Sequence, residues 1–470
     1  MFASSKCDVM PLIKSISGIR GTIGGKPGET LSPPDVVKFS AAYATWLLQK
    51  QPSNKKIVIG RDGRISGEMI QQLVISTLNA MGLDAIDLGL STTPTVEMAV
   101  QFEKAAGGII ITASHNPKEW NALKLLNSNG EFINAADGLE ILELAASDNY
   151  SFAGVDKLGT HIYHTTGLQQ HIEAIINYPL VDAASIKKKK FRIVIDAINS
   201  TGAIAVPALL KALGVKDIIV INEEVNGKFA HNPEPLPQHL SALCSEVNKQ
   251  QAHLGIAVDP DVDRLCFVCD DGSVFGEEYT LVAVADYLLQ HRRGNTVSNL
   301  SSTRALKDIT LKYGGEYFAS AVGEVNVVNK MKEVNAVIGG EGNGGIIIPD
   351  LHYGRDALIG IALFLTYMAQ SDKSAAQLRR QYPDYFISKN KIELENGFDI
   401  NRIFSEIQKK YRNNTINTED GLKIEFDNHD WVHLRTSNTE PIIRIYAESG
   451  FETTAENIAK RLMQDIRECM

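Results

Sequence analysis

Two short stretches hold the residue types from which a nucleophile and a cation site can be assembled. Thr112-Ala113-Ser114-His115-Asn116-Pro117 follows an apolar run, Gly108-Ile109-Ile110-Ile111, that reads as a buried strand. Pro117 disfavours helical geometry at Asn116, so Ser114 and His115 are expected on an exposed, extended bend, where a nucleophilic hydroxyl could be presented. A merely polar strand-to-loop turn is the blander reading. Asp259-Pro260-Asp261-Val262-Asp263-Arg264 follows a second apolar run, Ile256-Ala257-Val258, and sets carboxylates at alternate positions. In extended backbone that spacing points all three the same way, toward one hard cation that prefers oxygen ligands, with magnesium the natural candidate. An EF-hand does not fit: its sixth position would be Arg264 instead of glycine and its twelfth Asp270 instead of glutamate.

Three further loops stand out, two of them suited to anions. Gly18-Ile19-Arg20-Gly21 flanks a guanidinium with glycines that would let the backbone approach a phosphate. Gly339-Gly340-Glu341-Gly342-Asn343-Gly344-Gly345 follows Ala336-Val337-Ile338. Arg435-Thr436-Ser437-Asn438-Thr439-Glu440-Pro441, with Arg444 beyond it, offers two guanidiniums that can fork onto phosphate oxygens, while Ser437, Thr439 and backbone amides meet the remaining acceptors. A generic anion nest is the alternative.

These loops, in this order from Arg20 to Arg444 and with Asn121 and Lys124 behind Ser114, resemble those of the α-D-phosphohexomutases, which include phosphoglucomutase, phosphomannomutase and phosphoglucosamine mutase. The resemblance implies that Ser114 carries a phosphoryl group, gives it to a hexose phosphate and recovers one from the other end of a 1,6-bisphosphate intermediate. It implies Mg2+ held by Asp259, Asp261, Asp263 and the Ser114 phosphate, with Arg20 and Arg264 facing the phosphoryl group or sugar. Glu341 and Asn343 would address ring hydroxyls, and Arg435, Ser437, Asn438, Thr439 and Arg444 the phosphate that is not reacting. Lys124 is the expected general base, since Arg20, Arg264 and a cation would disfavour its ammonium form; a phosphate-holding lysine that stays charged is the other reading. His115 would orient the phosphoryl group. Gly345 stands where many members carry a histidine proposed to assist proton transfer; His352 could compensate, or be a packing histidine. The Gly-Glu-Gly-Asn-Gly-Gly loop leans toward glucosamine 6-phosphate and glucosamine 1-phosphate as the substrate pair, with mannose and glucose phosphates next, a hexose 1,6-bisphosphate as activator, and a sugar-phosphate phosphatase or an idle sensor as more distant alternatives.

The elements that must position these loops follow a recurring pattern: an apolar run, a polar loop, then a helical segment. Lys56 to Gly60, Gly108 to Ile111, Arg192 to Asp196, Leu254 to Val258 and Ala336 to Gly339 fit it, which predicts α/β layers with largely parallel sheets and ligand loops beyond the strand ends. Boundaries are expected near 1–155, 156–272, 273–378 and 379–470, the last segment reading as α+β. The family plan of three related α/β domains and a smaller C-terminal one around a central cleft matches that division.

Composition agrees. The chain has 470 residues, 44% hydrophobic, with a formal charge of -9 that argues against nucleic acid as a partner, so an anionic substrate needs a local basic pocket. Five scattered cysteines read as reduced thiols of a cytoplasmic protein. Cys266-Phe267-Val268-Cys269 has redox or zinc spacing but lies in an apparent strand, which favours core thiols. The longest apolar stretch, Ala357 to Ala369, is shorter than the roughly 20 residues that span a bilayer, so a buried helix and no membrane role are expected, for a monomer or homodimer acting on a small hexose phosphate.

Overall fold

The computed structural model describes residues 12–15, 18–393, 399–436 and 442–469. They form two compact bodies, Met1–Thr280 with Gly345–Ala376, and Leu281–Gly344 with Gln377–Met470. Among the described residues no helix is long and apolar enough to cross a membrane.

The first body begins with β1 (Ile13–Ser15), β2 (Gly18–Thr22), β3 (Lys56–Arg61), β4 (Asp84–Leu90), β5 (Gly107–Ile111), β6 (Trp120–Leu126) and β7 (His161–Tyr163). They make one sheet in the order β1-β2-β6-β5-β3-β4-β7. Its centre is the β-branched core of Ile57, Val58, Ile59, Ile109, Ile110 and Ile111, all fully buried. The helix Pro33–Lys50 packs so closely that a Cβ on Gly107 would lie 2.3 Å from the Tyr43 hydroxyl, which instead donates to Leu126 O at 2.6 Å. A second sheet, in the order β11-β10-β8-β9, contains β8 (Arg192–Asp196), β9 (Asp217–Ile221), β10 (Leu254–Val258) and β11 (Leu265–Cys269). Cys266 and Cys269 are both buried in β11.

The expected succession of strand, loop and helix fails where the chemistry is concentrated. β5 pairs antiparallel with β6, and β10 antiparallel with β11. The segments between them, 112–119 and 259–264, are too short for a parallel crossover, which needs a dozen residues or more. Both loops are therefore hairpin connections. The sheets are mixed for this reason, the parallel pairs lying elsewhere in them.

In the second body β12 (Thr296–Asn299) pairs in parallel with β13 (Tyr317–Ser320) and β14 (Ile338–Glu341). β14 starts two residues later than the apolar run suggested and carries Glu341 at its end. The chain returns to the first body through β15 (Gly345–Ile347) and the helix Ala357–Ser371, which is buried through Ala369 and packs on the helices Gly167–Ile176, Ala183–Lys189 and Gly202–Ala212. The last five strands, β16 (Phe386–Glu393), β17 (Thr415–Asn417), β18 (Leu422–Glu425), β19 (Trp431–Thr436) and β20 (Ile442–Ser449), form an antiparallel sheet in the order β16-β20-β19-β18-β17. Ile443, Ile445, Val432 and Leu434 point into a core with the helices Ile400–Lys410 and Glu452–Cys469, so alternation leaves Arg444, His433 and Arg435 on the other face. Thr415–Asn417 and Trp431–Thr436 had not been anticipated as strands.

Candidate active site

The antiparallel pairing of β2 with β6 places Arg20 opposite Ala122, and Lys124 lies two residues further along β6, so both basic side chains share one face. The β5–β6 hairpin loop sets Ser114 beside them with φ +48°, a conformation uncommon for a non-glycine residue. A buried clasp holds it there. Arg64 is 1% exposed and its Nε donates to Asp62 at 3.0 Å. Its two terminal nitrogens donate to the carbonyls of Pro117, Trp120, Ser114 and Asn116 at 2.5–2.9 Å. Asp62 accepts from the Thr112 hydroxyl, which in turn accepts from the Ser114 amide at 2.9 Å. The loop's carbonyls are gathered onto one cation, which accounts for how a strained serine persists.

The aspartate loop reaches the serine without being extended. Val262 has φ +61°, its amide donates to Asp259 O, and Asp259 Oδ1 accepts from the amides of Asp263 and Arg264, closing a tight turn. Convergence of the carboxylates therefore comes from this turn and not from strand alternation. Ser114 Oγ donates to Asp259 Oδ2 at 2.7 Å and lies 3.4 Å from His115 Nδ1. Lys124 Nζ donates to Asp261 Oδ2 at 2.8 Å and stands 3.6 Å from Asp263 Oδ2. Thr93 grips Asp261 from behind through its hydroxyl and its amide, and Arg355 donates to Asp263 at 2.7 Å. Arg20 donates to the Asn116 side chain at 2.7 Å, and Arg264 to Glu234 at 2.6 Å.

One oxygen from each of Asp259, Asp261 and Asp263 falls within 4.8 Å of the others, and all three residues are completely buried. Among the described residues, Asp261 Oδ1 and Asp263 Oδ1 are buried without a hydrogen-bond partner. Burial and its two acidic neighbours push the Asp259 carboxyl well above its usual range. A hard divalent cation answers all three observations, supplying charge for the carboxylates and a partner for the orphaned oxygens.

Lys124 departs from expectation. Burial pulls it down, but Asp261 and Asp263 outweigh burial and raise it above an ordinary lysine. Its ammonium is the resting form because carboxylates, not guanidiniums, are its nearest charged neighbours. His115 is driven well below its usual value by burial and then by Arg264 and Arg20, so it stays neutral and offers hydrogen bonds rather than charge. His352 does not replace the histidine missing at Gly345. It is 4% exposed and locked between Asp356 and Glu97, at 3.4 and 3.3 Å.

In the second body Glu341 is 4% exposed, and its Oε1 accepts from Asn299 at 2.8 Å and from the Gly323 amide at 3.1 Å. Asn343 lies half-buried in the turn after it. Arg435 and Arg444 face each other directly across β19 and β20, and Lys391 on β16 is the next residue in the row. Like charges directly opposed are unfavourable, so such a row suits an anion. Ser437, Asn438 and Thr439 lie outside the described residues.

Sequence reasoning missed Thr93, Asp62, Arg64, Glu234 and Arg355. Asp62 and Arg64 had a signal, since Arg61-Asp62-Gly63-Arg64 follows a strand that was read correctly. Arg355 and Thr93 had none, being remote in sequence from the aspartates they touch.

Comparison with known proteins places this geometry. The fold is that of a phosphoglucomutase/phosphomannomutase family protein from Burkholderia thailandensis, TM-score 0.83, 23% identical, covering 97% of each chain. Its four sheets with their flanking helices define the class by fold alone. Family models for the phosphoglucomutase/phosphomannomutase α/β/α domains I, II and III match residues 13–151, 169–272 and 276–385, and the model for the C-terminal domain matches 391–465. A phosphoglucomutase/phosphomannomutase of Thermococcus kodakarensis is 35% identical over 93% of this chain and 95% of its own. A phosphoglucosamine/phosphogalactosamine mutase of Sulfurisphaera tokodaii is 32% identical over 95% and 97%. The chain belongs to the phosphoglucomutase/phosphomannomutase family of phosphohexomutases and is an enzyme that moves a phosphoryl group within one hexose phosphate.

Proposed function

We propose that Ser114 is the phosphoryl carrier and that the preferred substrate pair is glucosamine 6-phosphate and glucosamine 1-phosphate, activated by a hexose 1,6-bisphosphate. The observation that carries the mechanism is the 2.7 Å bond from Ser114 Oγ to Asp259, beside a buried trio of carboxylates and Lys124. The phosphorylated serine gives its phosphoryl group to a sugar hydroxyl: the bond from phosphorus to the sugar oxygen forms and the bond to Oγ breaks. The hydroxyl's proton is replaced on Oγ by one from Lys124, whose resting ammonium would give a proton to Oγ as that bond breaks and take the hydroxyl's in return. Mg2+ held by Asp259, Asp261, Asp263 and the Ser114 phosphate would neutralise charge on the moving group. Arg20 and Arg264 face the phosphoryl group, and His115 orients it by hydrogen bonding.

Glu341 and Asn343 read the ring hydroxyls, and Arg435 and Arg444 fork onto the phosphate that is not reacting, with Ser437, Asn438 and Thr439 completing that grip. The amino sugar is favoured by the Gly339–Gly345 loop and by the Sulfurisphaera relative's name; the Thermococcus relative's name supports glucose and mannose phosphates as the second reading. Among the described residues Cys244, Cys266, Cys269 and Cys469 form no disulfide, which supports a cytoplasmic setting. The test is a side-by-side assay of glucosamine, glucose and mannose 1-phosphates with activating bisphosphate, on wild type and Ser114→Ala. Turnover is expected to be fastest with the glucosamine ester and absent in Ser114→Ala; equal turnover by the two proteins would refute the serine mechanism.

A further inference from the structure

In the second body, the carboxylate that reads the sugar and a guanidinium that grips the phosphate are joined through two consecutive backbone amides. Glu341 Oε1 accepts from Gly323 N at 3.1 Å, and Val322 N, the amide before it, donates to Asp420 Oδ2 at 2.9 Å. That same oxygen lies 3.1 Å from Arg435 Nε. Asp420 belongs to the turn between β17 and β18. Gly421 there has φ +76°, and a Cβ on it would stand 2.2 Å from Leu434 O, so only glycine lets the turn lie against β19 beside Arg435. The turn is tied down again where Asp420 O accepts from His433 Nε2 at 2.6 Å while His433 Nδ1 meets the Ser301 hydroxyl at 2.8 Å.

We propose that Asp420 is a positioning residue that sets Arg435 in register with Glu341, so that a hexose phosphate is selected by the distance between its phosphate and its ring hydroxyls. This rests on the phosphohexomutase roles given above to Glu341 and Arg435. The 3.1 Å ion pair at Nε is not aligned as a hydrogen bond; it draws the guanidinium toward the Asp420 turn and leaves the terminal fork to an anion. The same carboxylate also offsets the arginine's charge, which disfavours any anion. The two effects have opposite signs for different ligands. Orientation matters to a ligand held at both ends, whereas a free phosphate needs no register and feels only the charge.

Asp420→Asn is therefore expected to raise KM for hexose 1-phosphate about tenfold, with kcat little changed, while inhibition by inorganic phosphate stays the same or tightens. In an Arg435→Ala background the same substitution is expected to leave KM unmoved, because Asp420 acts through Arg435. Thermal unfolding of each variant reports whether it is folded, and Asp420→Ser serves if Asp420→Asn is not. An unchanged hexose-phosphate KM, or an equal rise in KM with and without Arg435, would overturn the proposal while normal wild-type turnover leaves the family mechanism standing. Absence of wild-type turnover would overturn both.

Discussion

The two bodies treat their charged groups differently. Around Ser114 the charges are buried and braced against other parts of the chain: Arg64 on four carbonyls and Asp62, Lys124 on Asp261, Arg355 on Asp263. On the face of the last sheet, Arg444 and Arg435 are half-buried and aligned by strand register, Arg435 with one acidic neighbour in Asp420, and Lys391 is exposed at the end of the row. Groups that exchange a phosphoryl must be held to a fraction of an ångström, since small displacements cost large factors in rate. Groups that grip a ligand can be placed by the spacing of a sheet. The braced site is costly to disturb, and the face proposed above to grip phosphate, the gripping face, is the part that can be retuned.

That contrast breaks most easily at Arg64. Arg64→Ala leaves Asp62 a buried, unpaired carboxylate and strips a donor from four carbonyls, so it is expected to lower unfolding free energy by about 3–5 kcal/mol in denaturant titrations. A loss below about 1 kcal/mol would show the clasp to be no stronger than a surface pair. His352 comes next. Burial alone would pull it down, but Asp356, shared with His171, and Glu97 outweigh burial and push it up to about 10. A folded-state value raised above the unfolded one, about 6.5, stabilises the fold fully below that pH, and the contribution is lost as pH climbs through about 10. Unfolding measured from pH 6 to 10 is expected to show this decline in wild type, and His352→Gln to flatten it while lowering neutral-pH stability by about 2 kcal/mol. A decline that persists unchanged in the variant would assign it elsewhere.

The gripping face is expected to respond in binding more than in stability. Arg444→Thr removes one guanidinium from the row, so KM for the hexose phosphate is expected to rise about tenfold. A large drop in melting temperature with unchanged KM would make this face structural. The smallest effect belongs to Lys391→Ala, about a twofold rise in KM that disappears at high salt, as an exposed charge is screened.

Much of the site was legible because its residues travel in short local patterns. Ser114 with His115, the three aspartates and the Glu341 turn each follow an apolar run, and the structure brings Ser114, His115, Lys124 and the aspartates together. Besides the parallel succession that fails at both hairpins, two readings failed for geometric reasons. Strand-like alternation was assumed for the aspartates, yet the Asp259 carboxylate closes a turn on the amides of Asp263 and Arg264 and pushes Val262 to positive φ. Arginines were expected to set the charge of Lys124, but Arg20 bonds to Asn116 and Arg264 to Glu234, while Asp261 and Asp263 are the lysine's ion-pair partners.

Sequence alone determined which residues could act and in what order along the chain, because hydroxyl, carboxylate and guanidinium are properties of single residues and strand periodicity is local. Tertiary structure decided which of them carry charge and what holds them in place. Arg64 lies 50 residues from Ser114, and Lys124 lies 137 from Asp261. Desolvation and ion pairing depend on such neighbours in space, and no spacing along the chain encodes them.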